Sequence, residues 1–321
     1  MHADSARTEG RSRRIDVHHH LTPPTLVARA GALLPSVYRG FSPARSVEDM
    51  DRAGIDVAVT SIPSPGVWYG DVAEARRLAR DCNEHAVRQM ADYPHRFGMF
   101  ATLPLPDIDG SLREIGYALD VLHADGIHMW TSYGSRWLGD PLFDPILEEL
   151  NRRKAVVFTH PTSLVVCCGN LVPEIPVAMI EYGTDTCRTI ASLVFSGATA
   201  RFPGVRFVFS HAGGTMPYLV ERFLFQGRNL SAEQAARLPH GVLHELQRLY
   251  FDVAQSASRH ALSSLMQLVT ASNVMLGTDF PVRTAAEHRD GLATCRLFSS
   301  EALCAVEGGN AMRLMPRLGR G

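Results

Sequence analysis

Lysine is almost missing from this chain. Of the 32 basic side chains in 321 residues, 31 are arginine and Lys154 is the single lysine. Any chemistry that needs a lysine amine, or a carbamate built on one, therefore has one position to work from. A surplus of charge is missing too: 32 basic and 33 acidic groups leave a formal net charge of -1, too little field to gather nucleic acid or an anionic membrane surface. No apolar run reaches the ~18 residues that cross a bilayer, and the opening MHADSARTEGRSRR lacks the apolar stretch of a signal peptide. A cytoplasmic protein is expected. The six cysteines (Cys82, Cys167, Cys168, Cys187, Cys295 and Cys304) form no CxxC pair, and a chain this long needs no disulfide staples. The adjacent Cys167 and Cys168 are read as a loop feature without a role.

What is present is core material. Hydrophobic residues make up 45% and charged residues 20%, with mean hydropathy -0.04, the balance of a globular fold. Behind a polar, Arg-rich tail (1–13), short apolar runs alternate with amphipathic stretches to the end of the chain. Strands are expected over 14–19, 55–62, 97–103, 126–130, 155–160, 205–211, 249–254 and 273–279, and helices over segments such as 71–93, 109–123 and 141–153. Eight βα units with near-continuous apolar strands predict one α/β domain over 14–321, a (β/α)8 barrel of the TIM type. The connections 21–46 and 161–186 far exceed the usual ~2–6 residues. Both follow strand C-termini, the catalytic face of such a barrel, and are expected to roof a pocket there.

Four of the expected strands end in histidine or aspartate where apolar residues or turn formers would be ordinary. The first closes on His18, His19 and His20, the fifth on His160, the sixth on His211 and the eighth on Asp279. Only a closed barrel brings positions so distant in sequence together. Strand alternation puts His18 and His20 on one face and His19 on the other. A single strand-end histidine is most often structural. Several imidazoles and a carboxylate at one mouth are harder to explain that way, because a buried polar group without a partner costs about 1–3 kcal/mol. His19, His85, His95, His123, His240, His244, His260 and His288 keep a structural reading, and His128 is read as packing or as lining the pocket. Imidazoles with one carboxylate suit a single Zn²⁺, with Mn²⁺, Co²⁺ or Fe²⁺ as alternatives. Three imidazoles and Asp279 would leave an open position on the ion, and the remaining histidine would serve as acid or base.

At these residues the chain resembles the amidohydrolase superfamily, in the branch of aminocarboxymuconate-semialdehyde decarboxylase and the aromatic acid decarboxylases. The resemblance is carried by IDVHHH, VFTHPT, FVFSHAGG, LGTDFP and EGGNAMRL, and runs from about residue 14 to about 316. SPG at 64–66, GDPLFDPILEELNRRKAVVFTHPT and IEYGTDTCRTIASLVFSG make it most similar to the 6-methylsalicylate decarboxylases. The resemblance implies His18, His20, His160 and Asp279 as metal ligands and His211 as the catalytic histidine. It also implies an arginine that holds a substrate carboxylate. Arg45 lies in the right neighbourhood, with Arg39 and Arg188 as rivals. Homodimers in which a neighbour contributes to the pocket belong to the same expectation. Two-metal members of the superfamily use a carboxylated lysine at the end of strand four. Here that stretch reads GIHMWTSY and Lys154 opens the fifth strand, so one metal is expected.

The expected activity is metal-dependent, non-oxidative decarboxylation of a small hydroxylated aromatic acid. Asp279 or His211 would deliver the proton, or His211 would first activate water toward the substrate. The alternative is a hydrolase that turns the same mononuclear site on a lactone, ester or amide. A silent barrel that only binds a metal or a protein partner would have lost a ligand or His211, and this chain has not. Trp68, Tyr69, Trp130 and Trp137 follow strand ends and are candidates to stack on an aromatic substrate, or else to pack the core.

Overall fold

The computed structural model describes residues 12–162 and 174–320, so Cys167 and Cys168 lie outside the described residues. Eight strands form one parallel sheet in sequence order: β1 (Ile15–His20), β2 (Val57–Ser61), β3 (Phe97–Thr102), β4 (Gly126–Trp130), β5 (Val156–His160), β6 (Arg206–Phe209), β7 (Tyr250–Asp252) and β8 (Val274–Met275). The sheet closes on itself as a barrel. The Val17 N–H donates to the Leu276 carbonyl at 2.9 Å, the Asp279 N–H to the His18 carbonyl at 2.8 Å, and the His20 N–H to the Phe280 carbonyl at 2.8 Å. The last strands are shorter than their apolar runs because residues 277–280 leave the β7 ladder and bond to β1 instead. His211, expected as a strand end, sits in a single helical turn, His211–Gly213, just beyond β6.

The strands are rich in β-branched and aromatic residues and buried on both faces, as a barrel covered by helices requires. The helices start where their sequences supply caps. Asp71 accepts the Glu74 N–H at 2.6 Å to open Val72–Asp92, and Thr284 and Glu287 form a capping box at Ala285–Cys295. The barrel interior is packed by Val17, Val59, Phe100, Phe158, Val208 and Met275, and the C-terminal Leu314, Met315 and Leu318 close its lower end. Lys154 precedes β5 and so lies at that end, opposite His160. The long connections are not bare loops. Residues 21–46 carry the helices Pro24–Ala30 and Ser36–Arg39, and the helix Val177–Phe195 begins inside the second connection. Among the described residues no helix is long and apolar enough to cross a membrane.

One polar side chain ties the C-terminal segment to the sheet. The buried Asn310 donates through Nδ2 to the carbonyls of Ala271 and Val274, each at 2.7 Å. Asn310→Ala should lower the unfolding free energy by about 2–4 kcal/mol, because two buried carbonyls lose their donor. A denaturant titration in which the midpoint stays put would refute that assignment.

Candidate metal centre

The C-terminal mouth of the barrel gathers imidazoles from three strand ends. His18 and His20 come from β1, His160 from β5 and His211 from the turn after β6, and all are buried. The rings of His18, His20 and His160 stand 5.0–5.1 Å apart, and His211 is 5.1 Å from His18 and 5.2 Å from His160. Asp279 lies among them. Its Oδ1 is 2.9 Å from His20 Nε2 and 3.4 Å from His18 Nε2, while its Oδ2 is 3.6 Å from His211 Nε2. One donor atom each from His18, His160, His211 and Asp279 falls within 4.8 Å of the other three. His20 is outside that group of four but in hydrogen-bond contact with its carboxylate. His19 faces the other way, bonded to Asp16 and Ser46 and stacked on Phe280, a structural role.

Asp252, at the end of β7, organises the cluster, and the reading of strand ends passed over it. It is fully buried. Its Oδ2 is 2.8 Å from His18 Nδ1, and its Oδ1 accepts the N–H groups of His211 at 3.0 Å and Ala254 at 2.8 Å. The signal was there in FDVA, a carboxylate closing a strand, by the same rule that singled out Asp279. Gly277 lets the pair form. A Cβ at that position would lie 2.9 Å from the Cβ atoms of both Asp252 and His18. His211 and Asp279 adopt left-handed backbone, with φ of 56° and 58°, which non-glycine residues hold only where surrounding bonds fix it. The Asp252 carboxylate on the His211 N–H and the His18 carbonyl on the Asp279 N–H supply those bonds.

This donor set fits a divalent cation. His18 Nδ1 is engaged by Asp252 and His160 Nδ1 lies 2.7 Å from the Pro161 carbonyl, which leaves the Nε2 atoms of both buried without a hydrogen-bond partner. An imidazole held at one nitrogen by a carboxylate or carbonyl, with the other free, is the arrangement of a metal ligand. The charges agree. Burial disfavours the imidazolium of His18, but Asp252 and Asp279 outweigh it and push its pKa up to about 10. Burial, with the charge of His18 close by, holds His160 well below the usual range and lowers His20 despite Asp279. Burial opposes the Asp279 carboxylate, yet His18 and its other imidazole partners hold its pKa well below the ordinary value.

Aromatic side chains surround the cluster. Tyr38, from the connection after β1, has its ring 5.4 Å from His20, Tyr182 from the helix Val177–Phe195 is 5.9 Å from His160, and Trp130 is also 5.9 Å from His160. Burial, then the charges of Asp279 and Tyr182, push the Tyr38 phenol well above its ordinary range. His128 sits below Trp130, buried with neither ring nitrogen bonded, and burial lowers its pKa well below the usual value. Of the other stacking candidates, Tyr69 bonds the Gly66 carbonyl and has the Arg29 guanidinium 4.0 Å over its ring. Arg45 is exposed and donates to the Gly40 carbonyl, Arg39 is exposed and donates to the Gly31 carbonyl, and Arg188 pairs with Asp185 at 2.7 Å.

Two outcomes follow from the His18–Asp252 pair. The metal-free protein gains stability from His18 protonation below its unfolded pKa near 6.5 and loses it as pH rises through about 10. A metal at Nε2 must displace that proton. Metal uptake at pH 7–8 should therefore release about one proton, read by calorimetry in buffers of different ionisation enthalpy; no release would contradict the pairing. In Asp252→Asn, an amide that keeps its oxygen toward the His211 N–H must turn its NH₂ to His18 Nδ1. That drives the imidazole proton onto Nε2. Metal affinity should fall about 10–100-fold, and an unchanged dissociation constant would count against the orienting role.

Comparison with known proteins matches residues 15–317 to the amidohydrolase family model. The decarboxylase yanB of Aspergillus niger is 34% identical, with 95% of this chain and 88% of that protein covered. The 6-methylsalicylic acid decarboxylase acuB of Aspergillus aculeatus is 35% identical, with 96% and 97% covered. The crystal structure of a dihydroxybenzoic acid decarboxylase from a Polaromonas species, with bound manganese and the inhibitor 2-nitroresorcinol, superposes with a TM-score of 0.84 at 19% identity, covering 97% of this chain and 98% of that one. Family model, close relatives and barrel agree: the chain belongs to the amidohydrolase family, and these relatives within it are carboxy-lyases.

Proposed function

We propose that the protein catalyses non-oxidative decarboxylation of a small hydroxylated aromatic acid of the 6-methylsalicylate type. One divalent cation is held by His18, His20, His160 and Asp279, and His211 is the acid at the reacting carbon. The observation that carries the substrate class is the 35% identity, across 96% of the chain, to a 6-methylsalicylic acid decarboxylase. The unpartnered Nε2 atoms of His18 and His160 support the metal, and the aromatic walls of Tyr38, Tyr182 and Trp130 support a flat ring as substrate. His20 is taken as the fourth ligand because its Nε2 shares Asp279 Oδ1 with His18, whereas His211 faces the other oxygen.

When bound, the cation supplies Lewis-acid orientation of the carboxylate and its ortho hydroxyl. The side chains do the rest. Tyr38, Tyr182 and Trp130 flank the ring and exclude water. His211 passes a proton to the ring carbon that bears the carboxylate, the bond from that carbon to the carboxylate then breaks, its electron pair restores the aromatic ring, and carbon dioxide leaves. Asp279 stays anionic beside His211, its Oδ2 3.6 Å from Nε2. The ion is Zn²⁺ or Mn²⁺ on this donor chemistry, and the manganese bound by the Polaromonas enzyme supports the second. A cytoplasmic homodimer completes the reading, with the exposed Met179, Tyr218 and Phe225 as apolar surface for association.

The test is metal analysis of the purified protein with a panel of salicylates and resorcylates, scored for carbon dioxide and for the decarboxylated phenol. Equal yields of the two, abolished by a chelator and restored by Zn²⁺ or Mn²⁺, are expected. Hydrolysis of a lactone, ester or amide without carbon dioxide would replace this reading with a hydrolase. His211→Asn should keep its metal and lose about 10²–10⁴-fold in kcat, while His20→Asn should lose the metal. The reverse pattern would exchange the two roles.

A further inference from the structure

One contact to Asp279 comes from outside the strand-end histidines. The side-chain amide of Gln255, three residues beyond Asp252, donates through Nε2 to Asp279 Oδ2 at 2.8 Å. Gln255 is exposed at the mouth of the barrel, yet its φ is 56°. An exposed glutamine has no packing reason to take left-handed backbone, so something must hold it there. His288 does. Its ring is buried in the helix Ala285–Cys295, its Nε2 accepts the Gln255 N–H at 2.9 Å, and its Nδ1 lies 3.1 Å from the Thr284 carbonyl at the cap of that helix. The carbonyl can only accept, which puts the imidazole proton on Nδ1 and leaves Nε2 free to take the Gln255 N–H. The relay runs unbroken from the Thr284 carbonyl through both ring nitrogens of His288 to the Gln255 N–H, and from the Gln255 amide to Asp279.

We infer that Gln255 is a positioning residue for Asp279, and that His288 holds Gln255 in place. The amide pins Oδ2, which turns Oδ1 toward His18 and His20 and keeps Oδ2 beside His211. A side-chain amide nitrogen only donates, so Gln255 keeps Oδ2 an acceptor and favours the orientation in which Asp279 serves as a charged ligand. Gln255 acts through the carboxylate, and His288 through the Gln255 backbone. The inference rests on the metal site proposed above and adds to it two residues that lie outside the strand-end pattern.

Gln255→Asn separates positioning from folding. Asparagine tolerates left-handed backbone better than glutamine, so the variant should fold with an unfolding temperature equal to or above that of the wild type. Its amide is one methylene short of Asp279. Mn²⁺ binding is followed by the electron paramagnetic resonance of the free ion, with kcat and KM measured on the same preparations. The dissociation constant for Mn²⁺ should rise fivefold or more and kcat should fall fivefold or more, with KM within threefold. In His288→Gln, which offers an acceptor to the Gln255 N–H, both quantities should lie closer to wild type than in His288→Leu. A Gln255→Asn variant with affinity and kcat both within fivefold of wild type overturns the positioning role, as does His288→Gln behaving like His288→Leu. A wild-type protein that takes up no Mn²⁺ or Zn²⁺ would instead remove the metal site itself, a distinct result.

Discussion

Three carboxylates without water around them govern this structure. Asp16 and Asp252 are completely buried and Asp279 nearly so, and a buried charge persists only when donors surround it. Asp16 accepts the N–H groups of His18 and Thr278, each at 3.0 Å, and the Thr278 hydroxyl at 2.6 Å, and bonds His19. Those contacts sew β1 to the segment after β8 and so help close the barrel. Asp252 joins β7 to β1 and to the turn after β6. Asp279 draws in His18, His20, His211 and Gln255. Satisfying the carboxylates and building the site are the same act of folding.

The electrostatics follow from that arrangement. Despite burial, Asp252 and Asp279 against His18 push its pKa up, while burial and the charge of His18 lower those of His160 and His20, favouring the neutral form that ligates a metal. Left-handed backbone recurs among the residues that build the site. His211, Gln255 and Asp279 follow three successive strands, all in left-handed backbone, and each is held by a hydrogen bond to its own N–H. The opposite end, where Lys154 sits, has apolar packing and the C-terminal segment. Chemistry and stability occupy different ends, as barrel enzymes usually divide them.

How much could be read in advance differs residue by residue. His18, His20, His160, His211 and Asp279 stood out because polar residues ended apolar strands, and the structure draws all five to one mouth. Asp252 obeyed the same rule but was hidden in LYFDVA, where one carboxylate is unremarkable until its partner is known. Tyr38 and Tyr182 were invisible because both lie in the long connections, where no periodicity says which side chain turns inward. His288 looked like an ordinary helix residue; its link to Asp279 exists only through the Gln255 backbone. The arginine expected to clamp a carboxylate shows the converse: Arg45 sits on the expected connection, and its guanidinium turns to the Gly40 carbonyl.

The sequence by itself determined the number and order of the strands, the single barrel, the strand-end histidines and the exclusion of a lysine-bridged metal pair. Each of these rests on local patterning or on a residue being there or not, and neither depends on how distant segments meet. The tertiary structure decided which nitrogens of His18, His20 and His160 are left without a hydrogen-bond partner, which carboxylates face His18, and which side-chain amide reaches Asp279. Those properties belong to contacts between segments as far apart as residues 16 and 278, and a hydrogen bond has no identity until both of its ends are in place.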